Sequence, residues 1–139
     1  MITRITSASI REPAPGLWSN CLKVGDTVYV SGLTSRDRDN QVQGDDEYTQ
    51  SINIFQRMGQ LLQAAGATPD DVVKLNLYLT RIDQRQAVWR ARQEFFGMAR
   101  CFPVATLVEV SSLQPGVLVE IEAVAALGHG GRPLETMEA

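Results

Sequence analysis

Val73-Lys74-Leu75-Asn76-Leu77-Tyr78-Leu79-Thr80 places an apolar side chain at every second position, with a polar or amphipathic one between. Successive side chains of an extended chain point to opposite faces, so this period marks a strand with one buried face. Thr68-Pro69-Asp70-Asp71 restarts the chain just before it. On both sides of the strand the period changes. Upstream, Tyr48, Ile52, Phe55, Met58 and Leu62 recur at intervals of three and four, which lines one side of a helix. That helix opens at Asp46 and stops at Gly66, a C′ glycine after Ala64-Ala65. Downstream, Asp83 and Gln86 form a capping-box pair at the head of a second helix, which runs to about Phe96 and ends at Gly97. Its inward residues are Val88, Ala91 and Phe95, with Trp89 and Phe96 at its flank.

Further out, Gly25-Asp26 separates residues 20–24 from 27–32, a β-hairpin pattern, and residues 40–47 are polar and loop-like. Val104–Ser111 is rich in β-branched residues, and Val117–Ala125 alternates in the same way as the opening strand. Gln114-Pro115-Gly116 between them predicts a turn that pairs the two strands antiparallel. The order is β-β-α-β-α-β-β, with a further short strand at 2–6. Two helices on one face of a mostly antiparallel sheet make an α+β layer. The sheet's other face mixes Lys74, Asn76, Glu120 and Glu122 with Val and Leu, and is too apolar to leave open. Self-association is the expected solution, without a fixed copy number.

Composition narrows the function. The chain has 139 residues, 44% hydrophobic and 21% charged, the balance of one globular domain. A net charge of −3 leaves no electrostatic footprint for nucleic acid or an anionic membrane. Arg81, Arg85, Arg90, Arg92 and Arg100 read as a solvated helix face. No run of eighteen apolar residues occurs, and Met1–Pro13 has no signal-peptide pattern. Cys21 and Cys101 are therefore expected as reduced thiols in a cytoplasmic protein. The single histidine, His129, cannot assemble a metal site with them. Residues 1–127 read as the domain, and 128–139, opening with Gly128-His129-Gly130-Gly131, as a flexible tail, mobile or wrapped over a neighbour.

Four segments, in order, resemble the RidA (YjgF/L-PSP) family. Asn20–Asp26 with Val28-Tyr29-Val30-Ser31-Gly32 resembles its first hairpin, and Ala64–Ala67 through Asp71–Lys74 resembles its "EAAG…DDVVK". Glu94-Phe95-Phe96-Gly97 with Phe102-Pro103 resembles "EFF…FP", and Val108–Val110, Leu113 and Val119–Ala123 resemble its C-terminal signature. The likeness covers roughly residues 14–126. It implies a chorismate-mutase-like fold and a homotrimer around a central barrel. It also implies three clefts between subunits that hydrolyse enamines or imines such as 2-aminoacrylate to a 2-keto acid and ammonia, with no metal or organic cofactor.

Such chemistry needs a guanidinium to grip the substrate carboxylate and a group to hold the attacking water. In the family the arginine stands in a Pro-x-Arg-Ser/Thr segment; here that segment is Pro103-Val104-Ala105-Thr106. Trp18 stands for the family's site tyrosine, Leu33 for the glutamine after Ser31-Gly32, Leu107 for a cysteine and Trp89 for an asparagine, while Glu120 is retained. Trp18, Ser31, Gly32, Trp89, Ala105, Thr106 and Leu107 are the candidate substrate-binding residues and Glu120 the candidate catalytic one. Glu120 holds the water or is a structural carboxylate paired with Lys74. Trp18 stacks on a planar ligand or anchors an interface. Arg100 is a candidate replacement for the arginine, and Cys101 reads as inert packing.

The expectation is a RidA-like homotrimer that binds a small metabolite between subunits and hydrolyses an enamine- or imine-like carbon–nitrogen bond. Ordinary 2-iminoacid deamination is disfavoured by Ala105. The alternative is a non-catalytic ligand-binding or regulatory protein of the same fold. Ribonuclease activity is disfavoured by the net charge and the lack of an acid–base pair.

Overall fold

Val119, Ile121, Ala123 and Ala125 are all buried on one face of the strand around which the sheet is built. The computed structural model describes residues 1–97 and 101–139. Its strands are β1 (Ile2–Arg4), β2 (Cys21–Val24), β3 (Thr27–Leu33), β4 (Val72–Leu79), β5 (Val104–Glu109) and β6 (Val119–Ala126). They lie in the order β1-β2-β3-β6-β4-β5, antiparallel except for the parallel pair β4–β5.

The expected antiparallel pairing of the last two strands is therefore wrong. β6 is inserted between β3 and β4, where both of its edges are hydrogen-bonded. β5 lies along the far side of β4 as an edge strand, five of its six residues exposed. The strand with the regular buried alternation takes the centre, and the intervening loop is long enough to let it pass β4. The opening strand behaves as its period predicts from Leu75 to Leu79, all three apolar residues being buried. Val73 is only half-buried and Val72 takes the inward place, because the register with β6 slips between Val72 and Lys74.

Helix α1 (Glu47–Ala64) is capped by Asp46, whose side chain accepts from the Thr49 N–H at 2.7 Å. It is followed by Gly66 in the left-handed region at φ 85°. Its buried face runs through Ile54, Phe55, Met58, Leu61 and Leu62, so Tyr48 and Ile52 sit at the margin of the expected stripe. Tyr48 faces helix α2 (Arg85–Phe96), donating to Glu94 Oε2 at 2.6 Å beneath the Arg90 guanidinium. The predicted capping box of α2 does not form. Asp83 lies inside a 3₁₀ turn (Ile82–Gln84), and the helix starts after Gln84 with no side-chain cap. Phe96 is buried and Phe95 half-buried, the reverse of the expectation, and both pack edge-on to each other with Phe95 stacked 4.9 Å from Phe55.

Two buried polar side chains of α1 fix the loops. Glu47 accepts from Nε and Nη2 of Arg81, each at 2.8 Å. Gln50 donates to the Gly44 and Gly116 carbonyls at 3.0 Å and accepts from the Leu118 N–H at 2.9 Å. Past β6, Gly128–Gly131 turns back, and the Gly130 N–H donates to Asp71 Oδ1 at 2.8 Å. Among the described residues no helix is long and apolar enough to cross a membrane.

Candidate functional site

The register of β3 against β6 slips between Val30 and Leu33, so Ser31 and Gly32 leave the regular ladder. On the β2 side the hairpin register continues, with the Ser31 N–H donating to the Asn20 carbonyl at 2.9 Å. The opening is filled by Glu120 of β6, whose side chain lies against the Cα of Gly32. Trp18, Ser31, Gly32 and Glu120 thereby line one cavity of about 480 Å³. Trp18 is half-exposed at its rim and donates through Nε1 to Asn20 Oδ1 at 3.2 Å. Asn20 in turn donates to the Arg11 carbonyl at 2.9 Å and to Glu12 Oε1 at 3.3 Å. This chain of bonds ties the approach segment to the hairpin.

Burial raises the proton affinity of the Glu120 carboxyl, and the neighbouring Glu122 charge raises it further. The two carboxylates differ in their partners. Glu122 accepts from Asn76 Nδ2 at 2.8 Å and from the Tyr78 hydroxyl at 2.9 Å. Glu120 makes no ion pair with Lys74; among the described residues the one ion pair is Arg81–Glu47. A carboxyl that holds its proton more tightly than usual beside a cavity, with its oxygens not committed to a cation, is placed to exchange a proton with a group in that cavity.

Trp89, Ala105 and Leu107 line a different cavity, of about 820 Å³, between α2 and the outer edge of β5. Arg92, Phe96 and Phe102 share it, and burial lowers the proton affinity of the Arg92 guanidinium. Thr106 lines neither cavity. It pairs with Asn76 across β4–β5 and so projects from the sheet face opposite to Ala105 and Leu107. Arg100 lies outside the described residues. Cys21 is buried, and its thiol is pushed up to about 11 by burial and by Glu12, which leaves it without thiolate character at neutral pH.

The candidate residues thus fall into two groups within one chain, Trp18, Ser31, Gly32 and Glu120 in the first cavity and Trp89, Ala105 and Leu107 in the second. Sequence reasoning missed Glu12, Arg36, Arg57 and Gln114 on the wall of the first cavity. Arg57 carried one faint signal, a cation between the buried Ile54 and Met58 on the apolar side of α1. The others sit in loops with no motif.

The family model described as Endoribonuclease L-PSP matches residues 9–127. The chain is 36% identical to a RutC family protein of Saccharolobus solfataricus, over 83% of this chain and 91% of that protein. It is 30% identical to a 2-iminobutanoate/2-iminopropanoate deaminase of Dermatophagoides farinae, over 89% of this chain and 96% of that protein. Among solved structures, a Pseudomonas aeruginosa protein of unknown function is 38% identical and superposes with a TM-score of 0.82, covering 92% of this chain and 94% of that one. The two helices on a mixed, mostly antiparallel sheet seen in this chain are thus an α+β architecture shared with solved structures of similar sequence. The sequence segments, the sheet order and these likenesses agree: this chain belongs to the RidA/YjgF/L-PSP family.

Proposed function

We propose that the chain assembles as a homotrimer in which the first cavity of one copy and the second cavity of its neighbour close into one small-molecule cleft. The observation that carries this reading is the division of the candidate residues between two cavities of the same chain. Two half-sites that cannot meet within a protomer meet when copies pack around a closed symmetry axis. The exposed β5 edge supports it, with Val104 at 69% and Val108 at 41% exposure on the face opposite the helices.

In that cleft the chemistry is hydrolysis of an enamine- or imine-like carbon–nitrogen bond, with Glu120 positioning water and Trp18 and Trp89 as aromatic walls. It takes place in the cytoplasm and needs no cofactor. Because Ala105 presents a methyl group to the second cavity, 2-iminobutanoate and 2-aminoacrylate lack a strand-borne guanidinium for their carboxylate. Losing such a charged hydrogen-bond pair costs roughly 1.5–3 kcal/mol, about tenfold to a hundredfold in rate.

The test is turnover of freshly generated 2-iminobutanoate, followed by ammonia release. The expected rate is at least about tenfold below that of an arginine-bearing relative, and Ala105→Arg raises it. Turnover equal to the relative's would overthrow the claim that this pocket is altered. No turnover of any imine by wild type or by Ala105→Arg would favour a non-catalytic binding protein instead.

A further inference from the structure

We propose that the first cavity is an anion seat in which Arg57 and Arg36 take the carboxylate of the ligand, on the same chain as Glu120. This rests on the reading of that cavity as half of the ligand cleft. Arg57 comes from α1 and Arg36 from the loop after β3, and both line the cavity. Arg57 Nη1 and Arg36 Nε are buried, and neither finds a hydrogen-bond partner among the described residues. A buried guanidinium N–H without an acceptor is costly, and its cost is removed when an acceptor arrives.

The surrounding charges leave both arginines available. Arg36 is fixed by neutral groups only, donating through Nη1 to the Asn40 carbonyl at 3.2 Å and through Nη2 to the Pro115 carbonyl at 3.5 Å. Asp37 is the acidic residue whose charge Arg57 feels. Its carboxylate is occupied elsewhere, however. Oδ1 accepts from the Asp39 and Gln41 N–H groups at 2.9 Å each, and Oδ2 from Gln43 Nε2 at 2.8 Å. Neither arginine forms an ion pair within the described residues. A planar guanidinium matches a carboxylate better than any other side chain does.

The same wall holds a complementary orphan. Glu12 Oε2 is buried without a partner among the described residues, and Glu120 lines the same cavity. The ligand class that satisfies both signs is a small carboxylic acid bearing a hydrogen-bond donor a few bonds from its carboxylate. Anchoring from α1 and the loop replaces anchoring from β5 and keeps the grip and Glu120 in one protomer. Arg92 in the second cavity is the competing seat.

The full chain is titrated with 2-hydroxybutanoate, a stable carboxylate with a hydroxyl donor on the neighbouring carbon, by calorimetry and by NMR. Arg57→Gln and Arg36→Gln should each weaken binding by about tenfold, and Arg57→Lys should restore part of it. Arg4→Gln, at an exposed position on β1, should leave binding unchanged. Arg92→Gln should weaken it less than Arg57→Gln does, and 2-hydroxybutanamide should bind at least about tenfold more weakly than the acid. If Arg57→Gln fails to fold, Arg36→Gln decides. Undiminished binding by the folded variants, a loss that follows Arg92→Gln instead, or no binding by wild type at millimolar acid would overturn the seat. Imine turnover is measured in parallel. Turnover indifferent to Arg57 would sink the anion seat and spare the proposed reaction; Arg57-dependent binding without turnover would do the reverse.

Discussion

The side chain of Glu120 lies so close to Gly32 that a methyl group on that residue would fall on its carboxylate, 3.0 Å from Cδ and 3.1 Å from Cγ. Any side chain at this position would push the Glu120 carboxylate aside, while the backbone around it is left alone. Gly32→Ala should therefore fold, since the far end of a flexible side chain can move aside, but it should displace the carboxylate from the cavity. The expected result is a melting temperature within a few degrees of wild type and about a tenfold loss in imine turnover or ligand affinity. Thermal melts beside the activity assay separate the two effects.

The proton on Glu120 gives a pH signature. Burial and Glu122 hold its affinity above the ordinary value near 4.5, so the folded state binds this proton more tightly than the unfolded chain does. The carboxylate thus costs no stability below the ordinary range. The cost grows as the pH rises from the unfolded value to the raised folded value and is constant above it. Glu120→Gln should melt above wild type at neutral pH and with it at acidic pH. If ionised Glu120 holds the water, turnover should climb with pH through an inflection above 4.5 that the variant lacks.

Gln50 supports the cavity from beneath. Its three bonds join α1 to the loop at Gly44 and to the loop at Gly116 and Leu118, and Gln114 and Arg36 of those loops line the first cavity. Gln50→Leu keeps the volume and strands three backbone groups. It should destabilise the fold by about 2–3 kcal/mol in denaturant titrations. Ligand affinity should fall with it, whereas a surface change such as Gln56→Leu should do neither.

Much of the fold is legible in the sequence because its elements carry their own period. Leu75, Leu77 and Leu79 announce β4, and Asp46 and Gly66 bracket α1 at the positions their chemistry requires. What fails is pairing and register, which depend on distant partners. Gln114-Pro115-Gly116 is turn chemistry with or without a hairpin, and nothing local to β6 says that β3 and β4 compete for it. Val73 is displaced by a register slip that only the facing strand defines. In the site, Trp18, Ser31, Gly32 and Glu120 converge in the first cavity, as does Arg57, which no motif flags. The orphaned nitrogens of Arg57 and Arg36 exist only in three dimensions.

The shared cleft stands or falls on whether copies associate, and light scattering on a sizing column measures that directly. At micromolar concentration the wild-type chain should elute at three times its 15.3 kDa mass. Val108→Glu, which puts a charge on the exposed face of β5, should shift it toward a single chain. A wild-type mass of 15.3 kDa at that concentration would contradict the account, since the two half-sites would then never meet.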